Sequence, residues 1–242
     1  MDLERRDLLY DGKSKRVWST EDDRYVLLEF KDDATAFNGV KHALIDDKAR
    51  INCAISTYLF DRLAEVGIAH HMVSRVSDTS ILCERVRIIP VEVVVRNVVA
   101  GSFAKRYGLV EGEPLRRSLV EYFYKSDELN DPLMGEDVPI VLGWAKKWEM
   151  VLMTEQALQI NDLLRDFWAG HRVDLLDFKL EFGRTADGRI VLADEITPDG
   201  ARMWERGSGR HLDKDVFRRD MGDLSATYHE IYRRVFGEDL DG

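Results

Sequence analysis

Basic residues, cysteine and long apolar runs are scarce in this sequence, and each scarcity excludes something. Across 242 residues, 35 lysines and arginines face 45 acids, a formal charge of -10. That balance disfavours nucleic acid as a bulk partner, although local basic pockets are compatible with it. Cysteine occurs only at Cys53 and Cys83, without metal-type spacing. Two lone cysteines fit a reducing compartment better than a disulfide scaffold. No run approaches membrane-spanning length, and the opening MDLERRDLLY has no apolar signal region. The expected setting is therefore the cytoplasm, with no membrane partner. The six histidines are scattered, none in a ligand or triad spacing. Gly207-Ser208-Gly209 lacks a third glycine and follows no strand, so no dinucleotide site is read there.

What is present suits a globular chain with a buried core. Hydrophobic residues make up 45% of the chain, enough for a core, and its length fits two lobes around one cleft. The most informative stretch is residues 175–202, LLDFKLEFGRTADGRIVLADEITPDGAR. Leu176, Phe178, Leu180 and Phe182 alternate with Asp177, Lys179 and Glu181, predicting a strand with one packed and one open face. Asp187-Gly188 is a hairpin signal, and residues 189–193 read as the return strand. A two-residue turn there sets Glu181 opposite Asp194; a three-residue loop sets Glu181 opposite Glu195. Opposed carboxylates are destabilising and call for a shared proton or a cation, and Mg²⁺ suits such oxygen ligands. A solvated amphipathic hairpin fits the same residues.

Elsewhere, residues 8–10 and 16–18 read as strands joined across Gly12-Lys13-Ser14-Lys15, and Tyr25–Phe30 as a third strand. That basic turn resembles a phosphate cover, though it lacks Walker spacing and on its own residues fits a solvated turn better. Residues 31–41, with Asn38-Gly39, read as a loop, and 46–66 as a helix stopped by Gly67. Residues 70–76 and 80–89 return to strand character, and Val91, Val93 and Val95 mark a buried strand after Pro90. The first lobe, residues 1–89, is thus a mostly antiparallel sheet with one covering helix. The second, residues 90–242, is larger. Ala100-Gly101-Ser102 turns into a short helix, and Ser102 with Arg96, Lys105 and Arg106 would suit an anion, or simply cap a helix. Residues 119–125 predict a strand ending at Lys125. Residues 143–169 predict a helix with Leu158, Leu163, Leu164 and Phe167 inward. Residues 197–213 read as irregular. Residues 223–236 predict a final helix burying Tyr228, Ile231, Tyr232 and Val235.

Together these stretches resemble one family. IIPVEVVVRNVVAGS at residues 88–102 and LLDFKLEFG at 175–183 are similar to the two signature segments of SAICAR synthetase. YDGKSKRVW, YKSDELNDP, LADEITPDGARMWE and LDKDVFRRDMGDL match further segments in order, while AKKWEMVLM at 145–153 is less typical. The resemblance implies an α+β fold with an N-terminal antiparallel lobe and a larger C-terminal α/β lobe around an ATP cleft. It implies an ATP-dependent ligase joining carboxyaminoimidazole ribonucleotide to L-aspartate through an acyl phosphate, in purine biosynthesis, as a homodimer. Gly12, Lys13, Ser14 and Lys15 would cover ATP, and the link from Arg85 through Arg87 to Glu92 would hold adenine. Arg96, Ser102, Lys105 and Arg202 would bind the ribonucleotide. Lys125 and Lys179 would neutralise the reacting groups, with Asp177 orienting ligand or lysine. Glu181, Asp194 and Asp131 would hold Mg²⁺. A non-catalytic nucleotide-binding regulator, or another phosphotransferase on this scaffold, are the alternatives.

Overall fold

The computed structural model describes residues 4–36 and 41–240. The first part runs β1 (Arg5–Asp11), β2 (Lys15–Thr20), β3 (Tyr25–Phe30), β4 (Asp33–Ala36), β5 (Lys41–Leu44), α1 (Lys48–Glu65), β6 (Met72–Arg75) and β7 (Ser80–Glu84). Then come β8 (Arg87–Val98), α2 (Gly101–Tyr107), β9 (Pro114–Tyr124), β10 (Leu133–Met134), α3 (Val138–Val141) and α4 (Lys147–Gly170). The chain ends with β11 (Val173–Arg184), β12 (Ile190–Ala193), β13 (Ala201–Glu205), α5 (Asp215–Arg218) and α6 (Leu224–Phe236).

Strands β1-β2-β3-β7-β6 form an antiparallel sheet covered by α1. A second sheet runs β10-β9-β8-β11-β12, and β13 pairs with β11 beside β12. Its α4 face carries Val91, Val93 and Val95 level with Phe178 and Leu180, packed with Met150, Met153 and Ile160 into one buried core. Pro90 lies inside β8 rather than ahead of it, at a register irregularity where a missing N–H costs no ladder bond.

Several expectations need correction. Residues 31–41 are not all loop: β4 and β5 pair as a hairpin, and Asn38-Gly39 lies outside the described residues. The long helix starts at Lys147, where the Lys146 N–H donates to Glu149, not at residue 143. Its buried stripe is Met150, Met153, Ala157, Ile160, Leu164 and Trp168, while Leu158 is exposed. The segment read as irregular contains β13, paired along the first half of β11.

The hairpin register also differs from both expectations. Thr185 bonds Arg189 across a three-residue turn, with Gly188 at φ 87, so Glu181 pairs with Ala193. Asp194 then leaves the strand at φ 64. The residue opposite Glu181 is Glu92, on β8. The predicted acid pair across the hairpin is therefore not formed; the acid beside Glu181 comes from the neighbouring strand β8. Nor is the charged face open, since Asp177 and Glu181 are buried.

Candidate active site

β11 makes this site because its edge neighbours change halfway along. β13 pairs with Val173 to Phe178 and β12 with Glu181 to Arg184, leaving Lys179 and Leu180 unpaired on that side. The connection from Asp194 to Gly200 passes over this gap. On the other side, β8 sets Glu92 beside Glu181 and Arg96 beside Asp177. Above them comes the β1–β2 turn, closed by a Gly12 N–H to Lys15 carbonyl bond of 2.9 Å.

The result is a charged cavity of about 180 Å³. Lys179 Nζ lies 3.3 Å from Glu92 and 3.2 Å from Asp194, and also contacts Glu181. Lys15 pairs with Asp194 and with Glu195, whose other oxygen accepts from Ser14 Oγ at 3.1 Å. Lys125 reaches Glu181 at 2.9 Å and Lys13 reaches Asp127 at 2.6 Å. Asp131 lines the same space and accepts from the Ser126 N–H at 2.9 Å. Burial opposes charging of Lys179, but the carboxylates of Glu181, Glu92 and Glu195 outweigh it and hold the lysine protonated. Burial likewise opposes ionisation of Glu181, and Lys179, Lys125 and Lys15 overcome it. Glu92 is the exception: burial raises it more than Lys179 lowers it.

A second cavity, of about 760 Å³, opens beside α2. Arg202 lines it, bonded to Asp177 at 3.1 Å and to Asp215 at 3.1 Å. Arg218 and Arg219 line it too, paired with Asp215 at 2.6 Å and Glu111 at 2.8 Å. Ser102 and Lys105 contribute from α2. Arg96 stands behind this wall, only 2% exposed. It donates to Glu121 at 2.5 Å, Asp177 at 2.7 Å and Ser102 Oγ at 3.2 Å. Asp177 therefore orients two arginines rather than a lysine.

Three further observations concern the link between lobes and the histidines. Arg85 and Arg87 are exposed and line a separate cavity of about 1010 Å³ with Arg24, Arg184 and Arg189. The Arg85 N–H is already bonded to the Arg24 carbonyl at 2.7 Å. Glu92, expected with them, belongs to the lysine-rich cavity instead. His211, set aside by spacing, brings a ligand atom within 4.8 Å of those of Asp213 and Asp215, although Arg202 and Arg218 already engage Asp215.

Burial, and then the neighbouring Asp215 charge, raise Asp213 from 3.8 to about 7. Stability from its protonated form is complete below 3.8 and is lost as pH rises through about 7. Burial holds His71 near 3, which acts in the opposite sense, so a comparison isolates Asp213. Relative to wild type, Asp213→Asn should gain stability as pH rises from about 5 to about 8. Parallel melting-temperature profiles would remove this assignment.

The sequence profile of SAICAR synthetase matches residues 8–235. The chain belongs to the SAICAR synthetase family. It is 51% identical over 235 residues to the phosphoribosylaminoimidazole-succinocarboxamide synthase of Bacillus cytotoxicus, covering 97% of this chain and 98% of that one. It is 49% identical to the enzyme of the same name from Halalkalibacterium halodurans, covering 96% and 98%. A solved SAICAR synthetase in complex with ADP matches at TM-score 0.92 and 46% identity, over 95% of this chain and 98% of that one. The Ehrlichia chaffeensis synthase structure matches at TM-score 0.92 and 35% identity, with the same coverage. No helix among the described residues is long and apolar enough to cross a membrane.

For this SAICAR synthetase family member, the residue-based reading offered Glu195 only as an alternative partner of Glu181 in strand alternation, not as the partner of Lys15 and Ser14. Asp194 takes a positive φ at the strand end and breaks that alternation. Glu121, Arg218 and Arg219 also went unnoticed; nothing local distinguishes them from solvated charges.

Proposed function

We propose a division of labour between the two neighbouring cavities in an ATP-dependent ligase that forms SAICAR in purine biosynthesis. The observation that carries it is Lys179, held by Glu92, Glu181 and Asp194 beneath the Gly12–Lys15 turn and one β-strand step from Asp177 and the arginine pocket. A triphosphate belongs in the first cavity and a ribonucleotide phosphate in the second.

The first cavity carries six carboxylates against four lysines. Adding a triphosphate to that excess is unfavourable without a further cation. The donors are all carboxylate oxygens, the hard set that Mg²⁺ takes. Glu181 and Asp194, with Asp131 at the rim, would hold the ion, which when bound screens the phosphate charge. The N–H groups and lysines of the β1–β2 turn would cover the phosphates. Lys179 and Lys125 would neutralise charge as the γ-phosphoryl passes to the ribonucleotide carboxylate, releasing ADP. Aspartate nitrogen then attacks the acyl carbon, loses a proton and expels phosphate. Positioning and charge neutralisation supply most of this catalysis. Arg202, Lys105, Arg218 and Arg219 would hold the ribonucleotide, while Arg96 fixes Ser102 and Asp177. On the same reading the enzyme works in the cytoplasm as a homodimer, which light scattering checks.

The deciding assay is ADP release with carboxyaminoimidazole ribonucleotide, with and without L-aspartate. Full turnover should require both. Aspartate-independent phosphorylation of unrelated acceptors would favour a general phosphotransferase, and binding without turnover a regulator. Gly101 offers a local test, because an added Cβ there would lie 2.4 Å from the Arg202 guanidinium carbon and the backbone sits at φ +53. Gly101→Ala should raise KM for the ribonucleotide by about tenfold, roughly 1.4 kcal/mol, and leave KM for ATP within twofold. Equal effects on both substrates would detach Arg202 from the ribonucleotide.

A further inference from the structure

A lysine with no solvent exposure needs a reason, because burying an ammonium costs more than its ion pair usually returns. Lys48, on the first turn of α1, is 0% exposed. Its Nζ pairs with Asp199 at 2.6 Å and donates to the Lys31 carbonyl at 3.2 Å. Lys31 in turn holds the β1–β2 turn: its N–H donates to the Ser14 carbonyl at 2.9 Å, and its Nζ to the Gly12 carbonyl at 3.0 Å. On the other side, Asp199 lies in the Pro198–Gly200 turn, between Glu195 and Arg202, and accepts from the Tyr228 hydroxyl. One polar chain thus runs from the Gly12–Ser14 backbone, through Lys31, Lys48 and Asp199, to the segment carrying Arg202.

We propose that Lys48 is a positioning residue that couples the two substrate cavities, setting the β1–β2 turn and the Arg202 segment together. The inference rests on the reading above, in which that turn covers ATP and Arg202 faces the ribonucleotide. Lys48 touches neither ligand. When a triphosphate draws the turn down, Lys31 and Lys48 carry the constraint to Asp199, and Arg202 is held in its pocket-lining position. Ribonucleotide binding orders the same chain from the other end, so each ligand should strengthen the other reciprocally. A hydrophobic pair of similar volume would fill the space but carry no such directional link.

The experiment is calorimetric titration of a non-hydrolysable ATP analogue, with and without carboxyaminoimidazole ribonucleotide. In wild type the ribonucleotide should tighten analogue binding by about tenfold, within the usual range of coupling between sites. Lys48→Met alone would leave Asp199 without its closest cation, so the working variant is Lys48→Met with Asp199→Asn, which removes both charges. There the ratio should fall to about one, with each ligand still binding. Tyr228→Phe deletes only the hydroxyl on Asp199 and should give a smaller loss, to about threefold, even if the double variant fails to fold. A wild-type enzyme that binds both ligands without coupling overturns the inference alone; one that binds neither overturns the cavity assignment with it. A ratio kept at the wild-type value in either variant, whatever its melting temperature, reduces Lys48 to a structural residue and overturns the proposal.

Discussion

Arg96→Ala should unfold at a temperature well below wild type, in addition to binding the ribonucleotide poorly. Arg96 is buried between Glu121 and Asp177, and both carboxylates depend on it. Removing one partner from a buried ionic network leaves uncompensated charge and costs roughly 3–5 kcal/mol. Compensation is partial, since Arg106 still reaches Glu121 at 2.6 Å and Arg202 still reaches Asp177 at 3.1 Å. A loss nearer the low end is therefore expected, about 3 kcal/mol, or a fall in Tm of roughly 6–12 °C for a chain of this size. Arg96→Lys keeps the charge but cannot span both acids and Ser102, so it should recover only part of the loss. Thermal unfolding of the ligand-free variants decides the matter. A Tm within about 2 °C of wild type would show that Arg96 serves the ligand and not the fold.

Glu181→Gln should reverse that pattern, with folding retained and turnover lost. The side chain keeps its shape, but Lys179 and Lys125 lose the carboxylate they share. Lys179 would keep Glu92 and Asp194, while Lys125 would keep only the charge of Glu92 nearby, so both are aimed less tightly at the phosphate path. An effect on kcat of about 10²–10³ is expected, the scale for removing one preorganised electrostatic group. The dependence on added Mg²⁺ should shift to higher concentration, because one carboxylate donor becomes a neutral amide. Steady-state kinetics across a Mg²⁺ series tests both points, and kcat within a factor of three of wild type, with an unshifted metal dependence, would remove Glu181 from the site. Stability offers a second readout. A carboxylate held below its ordinary value stabilises the fold above that value and loses its contribution as pH falls. The acid limb of the variant's stability profile should accordingly be flatter than that of wild type.

Local pattern was enough for the strands and helices with a single buried face. α6 buries Tyr228 and Ile231 as its period requires. Where burial is two-sided or pairing is distant, the pattern fell short. β13 sits among Pro198, Gly200, Gly207 and Gly209, which read as irregular, and becomes a strand because β11 offers it an edge. Leu158 carries the right residue type on the wrong side of α4, since the apolar stripe drifts around a long helix and burial depends on which sheet it meets.

The site divides in the same way. Residue type and spacing brought Glu181 and Asp194 into one proposal, because acids crowded along a strand end need a cation wherever they point, and the family resemblance added Lys179. Which acid opposes which was beyond them. The turn at Thr185 to Arg189 moves the register by one residue and sets Ala193, not Asp194, opposite Glu181, while Glu92 comes to it from β8 on the other side. Alternation also marked Asp177, Lys179 and Glu181 as the face away from the core, and read it as open to water. The β1–β2 turn, from far along the chain, and the Asp194 to Gly200 connection, which leaves the end of the hairpin, cover that face. Periodicity records which side chains avoid water. What lies across from a charged face, and so whether its charges are solvated, paired or poised for a ligand, depends on contacts between residues far apart in sequence.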